Sequence, residues 1–250
     1  MNTRNKIVSL IRNEVLESED GGLLNAPLVG FAAADDPLFA RLKEIVGPEH
    51  VHPTDILPEA KTVVAFFIPF AKKVVLSNRK SSAVAAEWAR AYLEANNLID
   101  RVSEQVIHML SAEGVKAETI KATHTYDEKT LTTAWSHRSS AFIAGLGRFG
   151  VNRMLITPVG CAGRYGSVII SEEITPDQRP TEEFCTHLKN GKCLFCVRNC
   201  PTEALTVDGF DKHKCHRHLL EVGERLTDLG LCDVCGKCVV GPCAILSGSD

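Results

Sequence analysis

The 250-residue sequence has no apolar run long enough to span a bilayer, so a membrane-spanning role is not expected. Its opening stretch, MNTRNKIVSLIRNEVLESED, lacks the unbroken apolar core of a signal peptide. Ile7, Leu10, Ile11, Val15 and Leu16 are instead spaced for one face of a helix. The expected compartment is the cytoplasm, with no membrane partner. Positive charge is not in excess either: the formal net charge is -3, which speaks against a nucleic-acid binder. Cysteine is missing from the first 160 residues.

What is present is concentrated. Of ten cysteines, nine lie between Cys185 and Cys243. In a reducing compartment clustered thiols read as metal ligands rather than disulfides. Cys161 stands apart and reads as a small core residue. With 44% hydrophobic and 24% charged residues, the chain can bury one large domain, or a medium domain plus a small module.

Residues 1–172 alternate strand and helix signals, an α/β layout around a sheet. Residues 1–20 read as a surface helix and 27–32 as a short strand. Lys61-Thr-Val-Val-Ala-Phe-Phe-Ile-Pro69 reads as a strand buried on both faces and ended by proline. Residues 81–95 are Ala-rich and helical, and Leu98, Val102, Val106, Ile107 and Leu110 continue at helical spacing to a stop at Gly114. Lys116–Lys121 reads as an edge strand and 134–144 as a helix, with strands at 154–156 and 166–170. Residues 173–184, polar and carrying Pro176 and Pro180, read as a linker. Residues 185–250 form a module held together by metal rather than by a core.

That module contains a repeat. Cys193-Leu-Phe-Cys196-Val-Arg-Asn-Cys200-Pro201 is echoed by Cys235-Gly-Lys-Cys238-Val-Val-Gly-Pro-Cys243. A duplicated Cys loop with Cys-Pro is the mark of a two-[4Fe–4S] bacterial ferredoxin, in which the last Cys of each half ligates the other cluster. The spacing assigns Cys185, Cys193, Cys196 and Cys243 to one cluster. Cys200, Cys235 and Cys238 go to the other, with either Cys232 or Cys215. Spacing alone favours Cys232, because it opens a C-x2-C-x2-C run. Zinc is the competing reading of paired C-x2-C units. His213, His216 and His218, with Lys212, Lys214 and Arg217, read as a solvated basic face.

Gly145-Leu-Gly147-Arg-Phe-Gly150-Val-Asn152 with Leu155-Ile-Thr157, Arg164-Tyr-Gly-Ser-Val-Ile-Ile170, and Ile56-Leu-Pro-Glu-Ala-Lys-Thr-Val-Val64 resemble stretches of the epoxyqueuosine reductases. So do Pro201-Thr-Glu-Ala204, Phe210-Asp-Lys-His-Lys-Cys215 and the later Cys group. Those enzymes are cobalamin-dependent and related to reductive dehalogenases. The resemblance implies an α+β protein: a nitroreductase-like α/β domain followed by a ferredoxin-like domain. It also implies a corrinoid near Gly145, Gly147, Gly150 and Asn152, and single electrons passing through two clusters to it. Two departures stand out. The family's proton-donating Asp falls at Leu131 and a following Glu at His137. They imply a paralogue acting on a small-molecule or corrinoid substrate rather than tRNA, with a ferredoxin or flavodoxin as electron donor.

A reduction needs a positioned acid. Near the Gly-rich stretch the polar candidates are His124, Tyr126, Asp127, His137 and Arg138. Tyr126 or His137 is suited to protonate, Asp127 to do so if its loop shifts, and Arg138 to steer an anion. The three glycines are also suited to cradle a phosphate or a corrinoid tail on backbone N–H groups. Three functions follow: an iron–sulfur oxidoreductase, an electron carrier or reductive activator of a partner's corrinoid, and a zinc-stabilised interaction protein.

Overall fold

The computed structural model describes residues 2–18, 21–121 and 126–246; His124 lies outside them. The chain opens with helix α1 (Thr3–Leu16), strand β1 (Leu28–Ala33), helices α2 (Pro37–Ile45) and α3 (Pro53–Ile56) and strand β2 (Thr62–Pro69). Then come α4 (Lys72–Lys80), α5 (Ala86–Ser111), β3 (Ala117–Glu118), α6 (His137–Ile143), β4 (Arg148–Phe149), β5 (Leu155–Ile156) and β6 (Gly163–Ile170). The Cys-rich segment holds α7 (Thr186–Asn190), α8 (Phe195–Arg198) and α9 (Lys212–Arg225).

Four strands form one sheet in the order β1-β2-β6-β3, every pair antiparallel. All eight residues of β2 are buried, as an unbroken apolar run requires of a central strand. Side chains alternate between two cores. Val64, Phe66, Ile68, Val168 and Ile170 pack with α1, α4 and α5 on one face. Val63, Ala65, Phe67, Tyr165 and Ile169 pack with Phe39, Leu42, Trp135 and Ala141 on the other. The architecture is therefore a helix–sheet–helix sandwich.

Several elements differ from the sequence expectation. The two helical stretches at 81–95 and 98–110 are one 26-residue helix, α5. Helices α2, α4 and α9 were not expected. In α9 only Val222 is buried, so it carries no apolar stripe to betray it. Residues 173–184 have no helix or strand, yet they are a tied strap rather than a loose linker. Asp177 pairs with Arg4 at 2.5 Å and accepts the Phe31 N–H at 3.0 Å. The Ile174 N–H donates to Thr62 Oγ1 at 2.9 Å, and Arg179 pairs with Asp36 at 2.7 Å.

The Cys-rich segment is bound to the rest. Lys237, 7% exposed, donates to the carbonyls of Asn78 (2.6 Å) and Ser81 (2.7 Å) at the end of α4. Those carbonyls have no intrahelical partner, and the cation meets the negative end of the helix dipole. Asn78 donates to Cys235 O at 2.9 Å, and Arg79 donates to the Val240 and Gly241 carbonyls. Cys185, Cys232, Val234, Val239, Val240 and Ala244 join the same core as α5 and β2.

Candidate functional site

A cavity of about 520 Å³, the size of a small-molecule site, opens at the C-terminal end of β2 and the N-terminal end of β6. Tyr126, Leu131, Trp135, His137 and Arg138 form one wall. Trp88, Tyr92 and Arg164 form a second, and Cys215, His216, Asp233, Cys235 and Cys238 a third. Part of the first wall and the thiols stand out in the sequence. Arg164, which sits in a strand that reads as core, and Asp233, which is hidden among cysteines, do not.

Tyr126 Oη lies 3.0 Å from His216 Nε2, with the rings edge-on at 5.4 Å. Burial, then the charges of Asp233 and Glu128, raises the phenol's pKa, so it stays protonated at neutral pH. Asp127 does not line the cavity. Its carboxylate takes the N–H groups of Lys129 (3.1 Å) and Thr130 (2.7 Å) and the Thr130 hydroxyl (2.8 Å). It caps an exposed turn, and those bonds hold its carboxyl below the ordinary carboxylate range. Leu131, the residue at the resemblance's aspartate position, follows in that turn at φ +51°.

His137 is buried and tied into the fold. Trp135 Nε1–H donates to Ser167 Oγ at 2.9 Å, and Ser167 Oγ lies 2.8 Å from His137 Nδ1. The indole can only donate, so Ser167 Oγ accepts from it and also bonds the imidazole Nδ1, bridging the two rings. Nε2 lies near the backbone of Ile120 and Lys121 without a hydrogen bond of good geometry. Burial lowers its pKa to about 4, so the ring is neutral at pH 7. Arg138 is exposed at the cavity edge, 5.8 Å from the Phe149 ring. Arg164 stacks over Tyr92 at 4.8 Å and donates to Asn96 Oδ1 at 2.9 Å.

Gly145, Gly147 and Gly150 do not line the cavity. Gly145, at φ +79°, lets the strap pass: a Cβ there would meet Gln178 O at 2.7 Å. A Cβ on Gly147 would meet Ile156 O at 2.2 Å. At both positions the missing side chain lets backbone pack close. Asn152 points elsewhere, towards Cys161 and Cys243.

The thiols fall into two groups. Burial, then the nearby Cys243, Cys185 and Cys193, pushes Cys196 up to about 11. The four line a second, smaller pocket, which Cys238 also borders. Burial, then Cys235 and Cys200, pushes Cys215 up to about 11, and Cys238 is raised by burial, then by Cys235, Cys215 and Cys200, and last by Cys196 of the first group. Cys232 is only 1% exposed, turns its sulfur to Ala89 O at 3.8 Å on α5, and feels Asp233 but no other thiol. By position Cys215, and not the Cys232 favoured by spacing, joins the second group. Clustered thiols, Cys196, Cys215, Cys235 and Cys238 among them pushed up by burial, are a donor set for a positively charged centre that takes thiolates. Among the described residues no three Cys, His, Asp or Glu side chains converge tightly enough to hold a single metal ion. No described helix is long and apolar enough to cross a membrane.

No protein-family model matches the chain. It is 28% identical over 206 residues to an epoxyqueuosine reductase of Lactococcus garvieae, covering 74% of this chain and 54% of that one. The chain thus spans about half the length of such curated relatives. Among solved structures, an epoxyqueuosine reductase with an epoxyqueuosine-modified tRNA stem loop superposes with TM-score 0.59 at 22% identity, over 97% of this chain and 67% of that one. A catabolic reductive dehalogenase superposes with TM-score 0.55 at 18% identity, over 84% and 28%. In sequence and in fold, the chain is similar to the epoxyqueuosine reductases.

Proposed function

We propose that the chain is an oxidoreductase with two [4Fe–4S] clusters, acting on a corrinoid or a small substrate in the cavity. One observation carries this: Cys215, Cys235 and Cys238 line the same cavity as Tyr126, Arg138 and Arg164. Redox ligands and polar substrate-binding groups thus face one space. Cys185, Cys193, Cys196 and Cys243 would hold one cluster, and Cys200, Cys215, Cys235 and Cys238 the other. Bound there, the clusters supply single electrons.

The chain's own residues do the rest. Arg138 and Arg164 orient an anionic group, and the Trp88, Tyr92 and Trp135 rings offer flat apolar walls. Tyr126 holds a proton on its phenol oxygen at the cavity face, available as general acid. Neutral His137 fixes the wall through Ser167. The indole N–H of Trp88 is buried with no hydrogen-bond partner among the described residues.

A small or corrinoid substrate is favoured over RNA by the net charge of -3 and by Leu131 at the resemblance's aspartate position. Leu131 also favours a second reading, in which the cavity reduces a partner protein's corrinoid. Titrating the anaerobically reconstituted protein with hydroxocobalamin tests the cofactor. A saturable change in the corrin spectrum is expected, and none would remove the corrinoid. Turnover of small substrates with an artificial donor separates enzyme from activator, and binding of a tRNA stem loop instead would overturn the substrate assignment.

A further inference from the structure

Cys161 lies outside the Cys-rich segment, yet its sulfur is 3.8 Å from that of Cys243. Neither is in a disulfide. Cys161 is fully buried, and Asn152, 5% exposed, directs its Nδ2 at both sulfurs, 3.4 Å from Cys161 and 3.8 Å from Cys243. The Asn152 amide is itself held, since its Oδ1 accepts the Met154 N–H at 3.1 Å. Backbone bonds fix the two thiols against each other: Cys161 N–H donates to the Cys243 and Ala244 carbonyls, and Ala162 N–H to Ala244 O. The pair is built by two distant segments, so the contact is not an accident of a flexible side chain.

We propose that Cys161 and Asn152 are positioning residues that donate hydrogen bonds to the Cys243 sulfur and raise the reduction potential of the cluster it ligates. This rests on the two-cluster reading. A ligating thiolate can only accept, so the Cys161 S–H, with no cluster position of its own in a complete set of four, is the donor. Hydrogen bonds to ligand sulfur favour the more negative, reduced state. The amide and the thiol act from the same side, and both are shielded from water, which would otherwise compete for that sulfur.

The test is an EPR-monitored redox titration of the anaerobically reconstituted full chain, with iron and sulfide counted in every sample. In Cys161→Ala the potential of one cluster should fall, the other should not move, and iron content should equal that of the wild type. A tenfold weaker reduction, about 59 mV for one electron, is the expected scale. Cys161→Ser keeps a donor and should restore most of the loss. Asn152→Leu, prepared independently in case the Ala variant fails to fold, should lower the same cluster's potential. Unchanged potentials in both Cys161→Ala and Asn152→Leu overturn the proposal. Loss of about half the iron in Cys161→Ala also overturns it, because Cys161 would then be a ligand. Wild-type protein that takes up no cluster refutes the underlying two-cluster reading instead, before any variant is compared.

Discussion

The Tyr126 phenol and the His216 imidazole meet at 3.0 Å, and this contact joins the loop over the cavity to the helix that carries Cys215. The bond makes one unit of a wall from the sheet domain and a wall from the Cys-rich segment. It gives Tyr126 both a structural and a chemical role, and the two separate experimentally.

Tyr126→Phe keeps the edge-on ring contact and removes only the hydroxyl. If that hydroxyl is the acid, kcat on the identified substrate falls by about 10²-fold or more. Stability falls by only about 1 kcal/mol, the scale of one neutral hydrogen bond. Iron content should not change. A variant with wild-type kcat would restrict Tyr126 to holding the loop.

Lys237 caps the last turn of α4 from inside the Cys-rich segment. Lys237→Met preserves most of the stem's packing and leaves two buried carbonyls without their donor. The expected loss is about 3 kcal/mol, or a melting temperature lower by roughly 6–12 °C for a chain of this size. Thermal melts of wild type and variant, prepared with the same iron content, decide this. An unchanged melting temperature would mean that the Lys237 bonds add nothing to holding the segment.

His137 makes stability depend on pH. Burial puts its folded-state pKa at about 4, below its ordinary value of 6.5. The unfolded chain therefore takes up this proton before the folded one does. Stability is full above pH 6.5 and declines as pH falls towards 4, by at most about 3 kcal/mol from this residue. Urea unfolding at pH 7 and pH 5 should show a smaller decline in His137→Asn than in the wild type. Equal declines would show that the ring is protonated as readily folded as unfolded.

How legible this was depended on what each segment buries. Val63 to Ile68 lie in a strand covered on both faces, so their continuous apolar run could mean little else. The same held for Leu98 to Leu110 on the inner face of α5. In helix α9 only Val222 is buried, and its one local signal is the Asp211 cap that accepts the Lys214 N–H. Helix α2 carried a clearer mark, Asp36 followed by Pro37 at the first turn. The split of the thiols into Cys loops followed from spacing. The choice between Cys215 and Cys232 did not, because it depends on which face of α9 meets the Cys235 loop. Cys161 was invisible as a partner of Cys243 for the same reason: 82 residues separate them, and only backbone pairing brings them together.

The central claim is that two sets of four thiols hold two iron–sulfur cubes, with Cys215 a ligand and Cys232 a packing residue. Iron and acid-labile sulfide, counted per chain after anaerobic reconstitution of wild type, Cys215→Ser and Cys232→Ser, test it most directly. The account predicts about eight of each in the wild type and in Cys232→Ser, and about four in Cys215→Ser. Zinc in place of iron, or full iron in Cys215→Ser with half lost from Cys232→Ser, would contradict it.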